Sequence, residues 1–170
     1  TSNGKRALSL VQQDVQTYAQ CYGVDGVFFD EVSNKGSLAS YYAAAAATVR
    51  GDIHPGSGQA ALVAINPGTY PDLSIAQTAD ITVMHESPDL NLPVAPAGLA
   101  SYPSAKFAYL ALGISNLAQT QAATLSSLYQ QGVGYVYLTD QGNGNDPWAK
   151  LSTSYPAQIQ IIQALNQSKN

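Results

Sequence analysis

The apolar residues of this chain alternate between helical and strand spacing from one end to the other. Between about residues 5 and 22 they recur every three or four positions, as they do on the buried face of a helix. Gly23 ends that helix, and an apolar run typical of a strand follows it. The same alternation continues, and it predicts strands at about residues 24–30, 60–65, 81–85, 106–112 and 133–139. It also predicts further helices at about residues 37–49, 117–131 and 156–167, and a short helix or turn at about residues 71–78.

Strands that alternate with helices indicate βαβ units and a parallel sheet, which is either open and doubly wound or part of a barrel. Two details favour the barrel. No glycine-rich phosphate loop follows a strand, and polar residues end nearly every strand, as on the catalytic face of a (β/α)8 TIM-type barrel. Such a barrel needs eight strands. We therefore expect a single barrel domain over residues 1–170, incomplete at its N-terminal side, in which this chain supplies the C-terminal five strands.

The chain contains only two glutamates, and each lies where a predicted strand ends. Asp30 and Glu31 end the first apolar run, and His85 and Glu86 end the third. Carboxylates at the carboxyl ends of buried strands are typical of catalytic groups in a β/α barrel. The structural alternative is that Asp30 and Glu31 are turn residues and Glu86 is a solvated loop acid.

The phase of the strands assigns these polar residues to a face, because side chains alternate along a strand. The branched residues of the second and third strands are expected to face helices, which directs Asn66 and Glu86 toward the barrel axis. The same phase directs Asp30 inward. Glu31 follows Asp30 immediately, so it must lie on the rim or be re-aimed by a bulge.

The amino-acid composition argues against some classes of binding partner. Only 11% of the residues are charged, and the net charge is −4. Seven scattered basic residues offer no patch for phosphates, which argues against nucleic acid. No apolar run is long enough to cross a bilayer, so no membrane contact is expected from this segment. The low charge and the glycosylation sequon at Asn166 favour a secreted protein.

Cys21 is the only cysteine, so the chain cannot form an internal disulfide. We expect a buried free thiol at this position. The alternative is that Cys21 has lost a partner that lies in the absent part of the barrel.

The aromatic residues are mostly tyrosine, with eleven Tyr against three Phe and one Trp. Tyr and Trp rings stack on sugar rings, and tyrosine hydroxyls bond to sugar hydroxyls. Tyr70 follows the sequence Asn-Pro-Gly, and Trp148 lies in a Gly/Asn-rich loop after Asp140. We interpret both rings as candidate sugar contacts, whereas Tyr41 and Tyr42 are expected to cover the core.

Four stretches of the sequence, in this order, resemble the spherulation-specific family 4, which includes fungal glycoside hydrolases of family 135. The resemblance runs from Thr1 to about Trp148, and its most specific part is the pair Asp30-Glu31 with Glu86 at the matching distance. The four stretches are Thr1-Ser2-Asn3-Gly4-Lys5-Arg6, Val24-Asp25-Gly26-Val27-Phe28-Phe29-Asp30-Glu31, Asn66-Pro67-Gly68 and Val83-Met84-His85-Glu86.

The resemblance implies a (β/α)8 barrel and a secreted or cell-surface enzyme. It implies endo-hydrolysis of α-1,4-linked N-acetylgalactosamine in galactosaminogalactan, a fungal exopolysaccharide. The acidic pair of the family corresponds to Asp30 and Glu31, and its third acid corresponds to Glu86. This chain departs from the family because it lacks the N-terminal strands, so the fragment alone is expected to be impaired.

Glycoside hydrolysis uses two carboxyl groups, one to protonate the leaving oxygen and one to attack the sugar or activate water. In an α-linked N-acetylgalactosamine the acetamido group lies cis to the leaving group, which disfavours its use as the nucleophile. Our hypothesis is that Asp30 is the nucleophile, Glu86 the general acid and base, and Glu31 a substrate-holding or tuning residue. The exchange of roles between Glu31 and Glu86 stays open.

The substrate-binding candidates are polar and aromatic residues near the strand ends. His85 is interpreted first as a core or supporting residue, and second as a sugar contact. No metal or cofactor is expected, because the chain has two histidines and no ligand spacing typical of zinc. The candidates are Asn66, Tyr70, His85, Asp140 and Trp148.

Two other functions fit the same fold. One is a non-catalytic carbohydrate-binding or spore-wall protein, which is expected to have lost one of the three acids. The other is a metal-dependent polysaccharide deacetylase, which predicts chelator-sensitive release of acetate. All three acids are present, which favours the glycosidase.

Overall fold

The structure is a computed structural model that describes residues 1–142, 144 and 146–168. The elements, in chain order, are α1 (Leu8–Cys21), β1 (Gly26–Phe29), α2 (Ala39–Asp52), β2 (Leu62–Ile65), α3 (Leu73–Ala76), β3 (Ile81–Ser87), β4 (Phe107–Ala111), α4 (Leu117–Gln130), β5 (Tyr135–Leu138) and α5 (Tyr155–Gln167).

The strands form a five-stranded sheet in the order β1-β2-β3-β4-β5. The pairs β1–β2, β2–β3 and β4–β5 are parallel. The predicted α/β class and the order of helices and strands are therefore confirmed, whereas the completed barrel and the single-domain assignment stay predictions. The loop predicted after the fifth strand includes positions 143 and 145, which lie outside the described residues, as do positions 169 and 170 of the predicted domain.

The chain divides into two compact units. The first contains residues 1–84 and 95–101, and the second contains residues 85–94 and the chain from residue 102 onward. The first unit holds α1, β1, α2, β2, α3 and most of β3. The second unit holds the carboxyl end of β3, followed by β4, α4, β5 and α5.

The core of the first unit lies between its two long helices and the buried face of β1 and β2. Val11 and Val15 are one helical turn apart on α1, and both are buried. The alanine run of α2 buries Ala45 and Val49 completely, because small side chains let this helix approach its neighbours closely. Each fully buried valine side chain, such as that of Val15 or Val49, stabilises the fold by roughly 1.5–3 kcal/mol.

The strand phase in this unit is the one that the sequence predicts. Phe29 pairs with Ile65 in parallel register, and both side chains are buried. Phe28 and Leu62 point to the opposite face, where they remain 52% and 46% exposed. One face of β1 and β2 is therefore packed, and the other carries large apolar side chains that are half exposed.

In the second unit, β4 and β5 pair in parallel from Ala108 and Tyr135 to Ala111 and Leu138. Helix α4 buries leucines on one side and packs against α5. The polar side chain of Gln158 is buried on α5 because its Nε2 donates a hydrogen bond of 2.9 Å to the carbonyl of Leu138. This bond ties α5 to the carboxyl end of β5.

Two expectations from the sequence are wrong. The second helix does not stop before Gly51 but continues to Asp52, where Ile53 N still donates to Val49 O at 3.0 Å. Cys21 is exposed, not buried. It lies six residues after the buried Val15, which is about one and two-thirds helical turns and places it away from the packed face.

Gly26 begins β1 because the neighbouring strand leaves no room for a side chain. A Cβ at this position would lie 2.2 Å from the carbonyl oxygen of Leu62. We expect Gly26→Ala to lower the free energy of unfolding by about 1–3 kcal/mol, because β1 must move away from β2. Urea denaturation followed by circular dichroism measures this change.

A matched control is Gly51→Ala in α2. A Cβ there meets no atom within 4 Å, and the residue lies inside a helix. That substitution is expected to raise the free energy of unfolding by about 0.5–1 kcal/mol. Equal effects of the two substitutions would contradict the close approach of β1 and β2.

Candidate functional site

Asp30 and Asn66 come together because they follow paired strands. Phe29 and Ile65 are register partners at the ends of β1 and β2, so the next residue of each strand lies side by side. Asn66 N donates to Phe29 O at 2.9 Å, and Asn66 Nδ2 donates to Asp30 Oδ1 at 2.9 Å. Asp30 is exposed and Asn66 is buried. The structure thus joins two of the predicted site residues at the carboxyl end of the sheet.

The Asn-Pro-Gly sequence fixes the direction of the Asn66 amide. Gly68 has a φ of +67°, a left-handed conformation that glycine adopts without strain. In this turn Gly68 N donates to Asn66 Oδ1 at 2.9 Å. Because the amide oxygen is held by the turn, the NH2 group is directed at Asp30. The turn formed by these three residues therefore fixes the Asn66 amide so that its NH2 group donates to the Asp30 carboxylate.

Glu31 lies on the rim, in a sharp turn after β1. Its φ is +50°, a left-handed conformation that costs a residue other than glycine about 1–2 kcal/mol. The backbone around it is tied down, because Glu31 N donates to Asp30 Oδ1 at 2.8 Å and Glu31 O accepts from Asn3 N at 2.7 Å. Glu31 is exposed and lies outside β1, so the predicted alternation of faces does not extend to it. Backbone strain of this kind collects at functional sites.

Tyr42 supports the segment that follows Glu31. Its side chain is 1% exposed, as expected for a core residue, and its hydroxyl accepts a hydrogen bond of 2.7 Å from Ser33 N. The next backbone contact of this segment joins Val32 N to Asn66 O at 2.9 Å. The sequence predicts Tyr42 only as a core residue, since no local pattern shows where its hydroxyl points.

A cleft of about 150 Å³ lies beside Asp30, between α1 and the edge of β1. Its lining residues include Tyr18 and Phe28, both about half exposed, and an ion pair of 2.5 Å between Arg6 and Asp14. The hydrogen bond from Arg6 holds the pKa of the Asp14 carboxyl below its usual value.

In the second unit, Glu86 is half-buried near the carboxyl end of β3, next to His85. His85 is 8% exposed, and its ring stacks on Tyr109 with 4.3 Å between the ring centroids. Its Nε2 lies 3.1 Å from the carbonyl oxygen of Asp89. Burial raises the pKa of the Tyr109 hydroxyl, which donates to Asn91 O. This geometry favours the supporting role for His85 over a direct sugar contact.

Asp140 ties the two ends of the loop after β5 together. Its carboxylate accepts from Thr153 Oγ1 at 2.5 Å and Thr153 N at 3.0 Å, and from Gln141 Nε2 at 3.1 Å. These bonds, led by the one from the Thr153 hydroxyl, lower the pKa of Asp140 to about 2. The hydrogen bonds to the ionised Asp140 carboxylate therefore stabilise the fold fully above about pH 4. This stabilisation is lost as the pH falls from about 4 toward 2.

The aromatic candidates lie in different surroundings. Trp148 is exposed and stacks on Tyr137, with 5.9 Å between the ring centroids and 26° between the planes. Trp148 N donates to Asp146 Oδ1 at 2.9 Å, which fixes the backbone that carries the ring. Tyr70 follows the Asn-Pro-Gly turn in the first unit and is half-buried, and burial raises the pKa of its hydroxyl.

The structure therefore gathers the predicted residues into three groups. Asp30, Glu31 and Asn66 form one group in the first unit, with Tyr70 after the adjoining turn. In the second unit, His85 and Glu86 are adjacent on β3, whereas Asp140 and Trp148 belong to the loop after β5. The sequence pattern does not reveal four residues that support these groups through hydrogen bonds or ring stacking, namely Tyr42, Asp89, Tyr109 and Tyr137.

Within residues 1–142, 144 and 146–168, no three or more His, Cys, Asp or Glu side chains are grouped so that they could hold a metal ion. In the same residues, none of the helices has the length and apolar character needed to span a membrane.

Asn66→Ala is expected to disturb the site more than the fold. It removes the donor to Asp30 and leaves Gly68 N without its acceptor, which lowers the free energy of unfolding by about 1–3 kcal/mol. Thermal unfolding and an activity assay measure the two effects. The matched control is Asn116→Ala, because Asn116 precedes α4 without a side-chain capping bond. A loss as small as that of the control would show that the Asn66 bonds are dispensable.

The fold and the polar side chains at the strand ends are typical of one class of protein. The chain is an α/β protein with a parallel sheet, and it carries acidic and amide side chains where β1, β2 and β3 end. This arrangement is typical of catalytic or binding sites on β/α folds.

The chain belongs to the spherulation-specific family 4, whose model matches residues 1–162. It is similar to Spherulin-4 of Physarum polycephalum, with 32% identity over 178 residues that cover 98% of this chain and 51% of Spherulin-4. The chain thus spans about half the length of that relative. The family predicted from the sequence motifs is confirmed.

A solved structure shares the fold. The crystal structure of Aspergillus clavatus Sph3 in complex with GalNAc matches with a TM-score of 0.74 and 20% sequence identity. The match covers 95% of this chain and 69% of the Sph3 chain. At this level of identity the likeness establishes the fold.

Proposed function

We propose that this chain carries catalytic residues of an endo-acting glycoside hydrolase that cleaves α-1,4-linked N-acetylgalactosamine in a galactosaminogalactan-type exopolysaccharide. The observation that carries the proposal is the Asp30–Asn66 pair, a carboxylate held by an amide donor at the ends of adjoining parallel strands. Family membership and the fold shared with Sph3, which was crystallised with GalNAc, support the choice of sugar.

The proposal includes the finer fold, a (β/α)8 barrel of which these are five strands. The exposed apolar side chains of Phe28 and Leu62 support it, because a closed barrel fills its interior with such residues. It also includes secretion or display at the cell surface, for which the low charge content and the sequon at Asn166 are the support.

Asp30 is proposed as the nucleophile or base. Its Oδ1 accepts from Asn66 Nδ2 and from Glu31 N, and donors of this kind orient a carboxylate and stabilise its negative charge. A carboxylate held in one rotamer can attack the anomeric carbon, or take a proton from water, without further reorganisation. The strained turn at Glu31 holds a second carboxyl group close by on the rim.

Glu86 is proposed as the acid that protonates the leaving oxygen. Its place near the carboxyl end of β3 is the one from which a β/α barrel presents catalytic side chains. Glu31 is the alternative acid, since it lies just beyond the end of β1. The two assignments predict different responses to substitution of Glu31 and Glu86.

Trp148 and Tyr70 are proposed as sugar contacts. Trp148 combines an exposed ring with a backing ring, Tyr137, and such a stacked pair offers a rigid apolar face to a pyranose ring. Asp140 is then a residue that fixes the loop, because its carboxylate oxygens already accept bonds from Thr153 and Gln141.

Reducing-end release from an α-1,4-N-acetylgalactosamine oligomer tests the proposed function. We expect the protein to shorten the oligomer, and to do so equally in the presence of a chelator. Binding without release would favour a carbohydrate-binding or wall protein, which is the alternative function on this fold. Release of acetate that stops with the chelator would indicate a deacetylase and exclude the proposal.

A further inference from the structure

Both sequence neighbours of Glu86 are held by one residue that lies three positions beyond it. Ser87 Oγ donates a short hydrogen bond to Asp89 Oδ2. His85 Nε2 lies 3.1 Å from the carbonyl oxygen of Asp89 and 3.8 Å from its Oδ1. Glu86 therefore sits between two residues that contact the same aspartate.

The contacts of Asp89 continue into the loop and the next strand. Asn91 N donates to Asp89 Oδ1 at 2.8 Å, which closes the turn. Asn91 O accepts a bond of 3.0 Å from Tyr109, whose ring is stacked on His85. Ser87 O accepts from Leu112 N at 3.0 Å. The chain on either side of Glu86 is thus fixed by side-chain and backbone bonds.

These contacts constrain the backbone on both sides of Glu86. The Cα–Cβ direction of a strand residue follows from the peptide planes before and after it, and here both flanking residues are tied. We infer that Asp89 is a positioning residue, which holds the carboxyl end of β3 so that the Glu86 carboxyl group has one orientation. The use of that orientation in hydrolysis rests on the proposed function, whereas the positioning itself does not.

An aspartate suits this task because it offers two acceptor oxygens on a short side chain. Oδ2 accepts from Ser87 Oγ, and Oδ1 accepts from Asn91 N. An asparagine keeps one acceptor for Asn91 N, and its NH2 group can donate to Ser87 Oγ, which reverses that bond without losing it. Alanine keeps neither bond. The pair of variants therefore separates the loss of the hydrogen bonds from the loss of the charge.

Because the chain contains few glutamates, the Glu86 carboxyl group can be observed directly. Glu31 and Glu86 are its only glutamates, so selective ¹³C labelling of glutamate carboxyl groups gives two signals. Glu31→Gln and Glu86→Gln assign them. We expect Asp89→Ala to shift or broaden the Glu86 signal and leave the Glu31 signal in place, while Asp89→Asn leaves both in place.

In the hydrolysis assay, Asp89→Ala is expected to lower kcat by about 10- to 100-fold, because a small misplacement of a catalytic group has effects of this size. KM and the melting temperature are expected to change little, since the Asp89 side chain is 42% exposed. Asp89→Asn is expected to keep most of the kcat of the parent protein. Asp72→Ala is the matched control, because Asp72 makes the same kind of bonds to Ser74 at the start of α3.

The outcomes separate this inference from the proposed function. Without any hydrolysis by the parent protein the proposed function fails, and a selective change of the Glu86 signal in Asp89→Ala still supports the positioning. An unchanged Glu86 signal overturns the inference, whatever the value of kcat. A change of both glutamate signals together with a large fall in melting temperature also overturns it, since Asp89 then serves the fold as a whole.

Discussion

Glu86→Gln is expected to lower kcat by at least about 100-fold, because general acid or base catalysis contributes about 10²–10⁴-fold. The amide has nearly the size of the carboxyl group, yet it cannot deliver a proton to the leaving oxygen or take one from water. KM for the oligomer is expected to stay close to that of the parent, since the side chain acts on the transition state. Reducing-end release at several substrate concentrations measures both constants.

Glu31→Gln is the comparison that assigns the roles, because the chain has no other glutamate. If Glu86 is the acid, the loss in Glu31→Gln is smaller and includes a change in KM. A larger loss in Glu31→Gln would exchange the two roles. Full activity in Glu86→Gln, with an intact fold by circular dichroism, would remove Glu86 from the chemistry.

The order of elements could be predicted from the sequence because it depends on local signals. Helical spacing of Val11 and Val15 and the apolar runs of the strands require no knowledge of tertiary contacts. The face assignment of Asp30 and Asn66 followed in the same way, since alternation along a strand is fixed geometry. Their hydrogen bond is the consequence of two strands in parallel register.

The supporting residues could not be predicted in this way. The hydroxyl of Tyr42 reaches Ser33 N, and the rings of His85 and Tyr109 stack across different strands. Such contacts depend on where a side chain points in three dimensions. The spacing of residues along the sequence does not report that direction. The exposure of Cys21 is a related case, because its residue type favours burial while its position on the helix decides against it.

The turn at Glu31 shows how a sequence motif and a backbone conformation depend on each other. A residue other than glycine with positive φ persists only where surrounding bonds hold it. Here the bonds come from Asn3 N, from the carboxylate of Asp30 and from the segment that Tyr42 supports. The conformation of the acidic pair therefore depends on residues outside it, namely Asn3 and Tyr42.

Tyr42→Ala is expected to lower the free energy of unfolding by about 3–5 kcal/mol, because it empties a fully buried site. Tyr42→Phe keeps the ring and its edge-to-face contact with Tyr41 but leaves Ser33 N without its acceptor. That loss is expected to be about 1–3 kcal/mol. Urea denaturation of the parent and the two variants gives the values.

Tyr41→Phe is the matched control for the hydroxyl, since the Tyr41 hydroxyl donates to Arg6 O at the surface. Its effect is expected to stay within about 0.5 kcal/mol. If Tyr42→Phe is as mild as this control, the segment after Glu31 is held by its other bonds alone. If Tyr42→Phe is destabilising and also lowers kcat, the buried hydroxyl sets the geometry of the Asp30–Glu31 turn. In that case Tyr42, a core residue of α2, would determine the position of the turn that carries the proposed catalytic carboxylates.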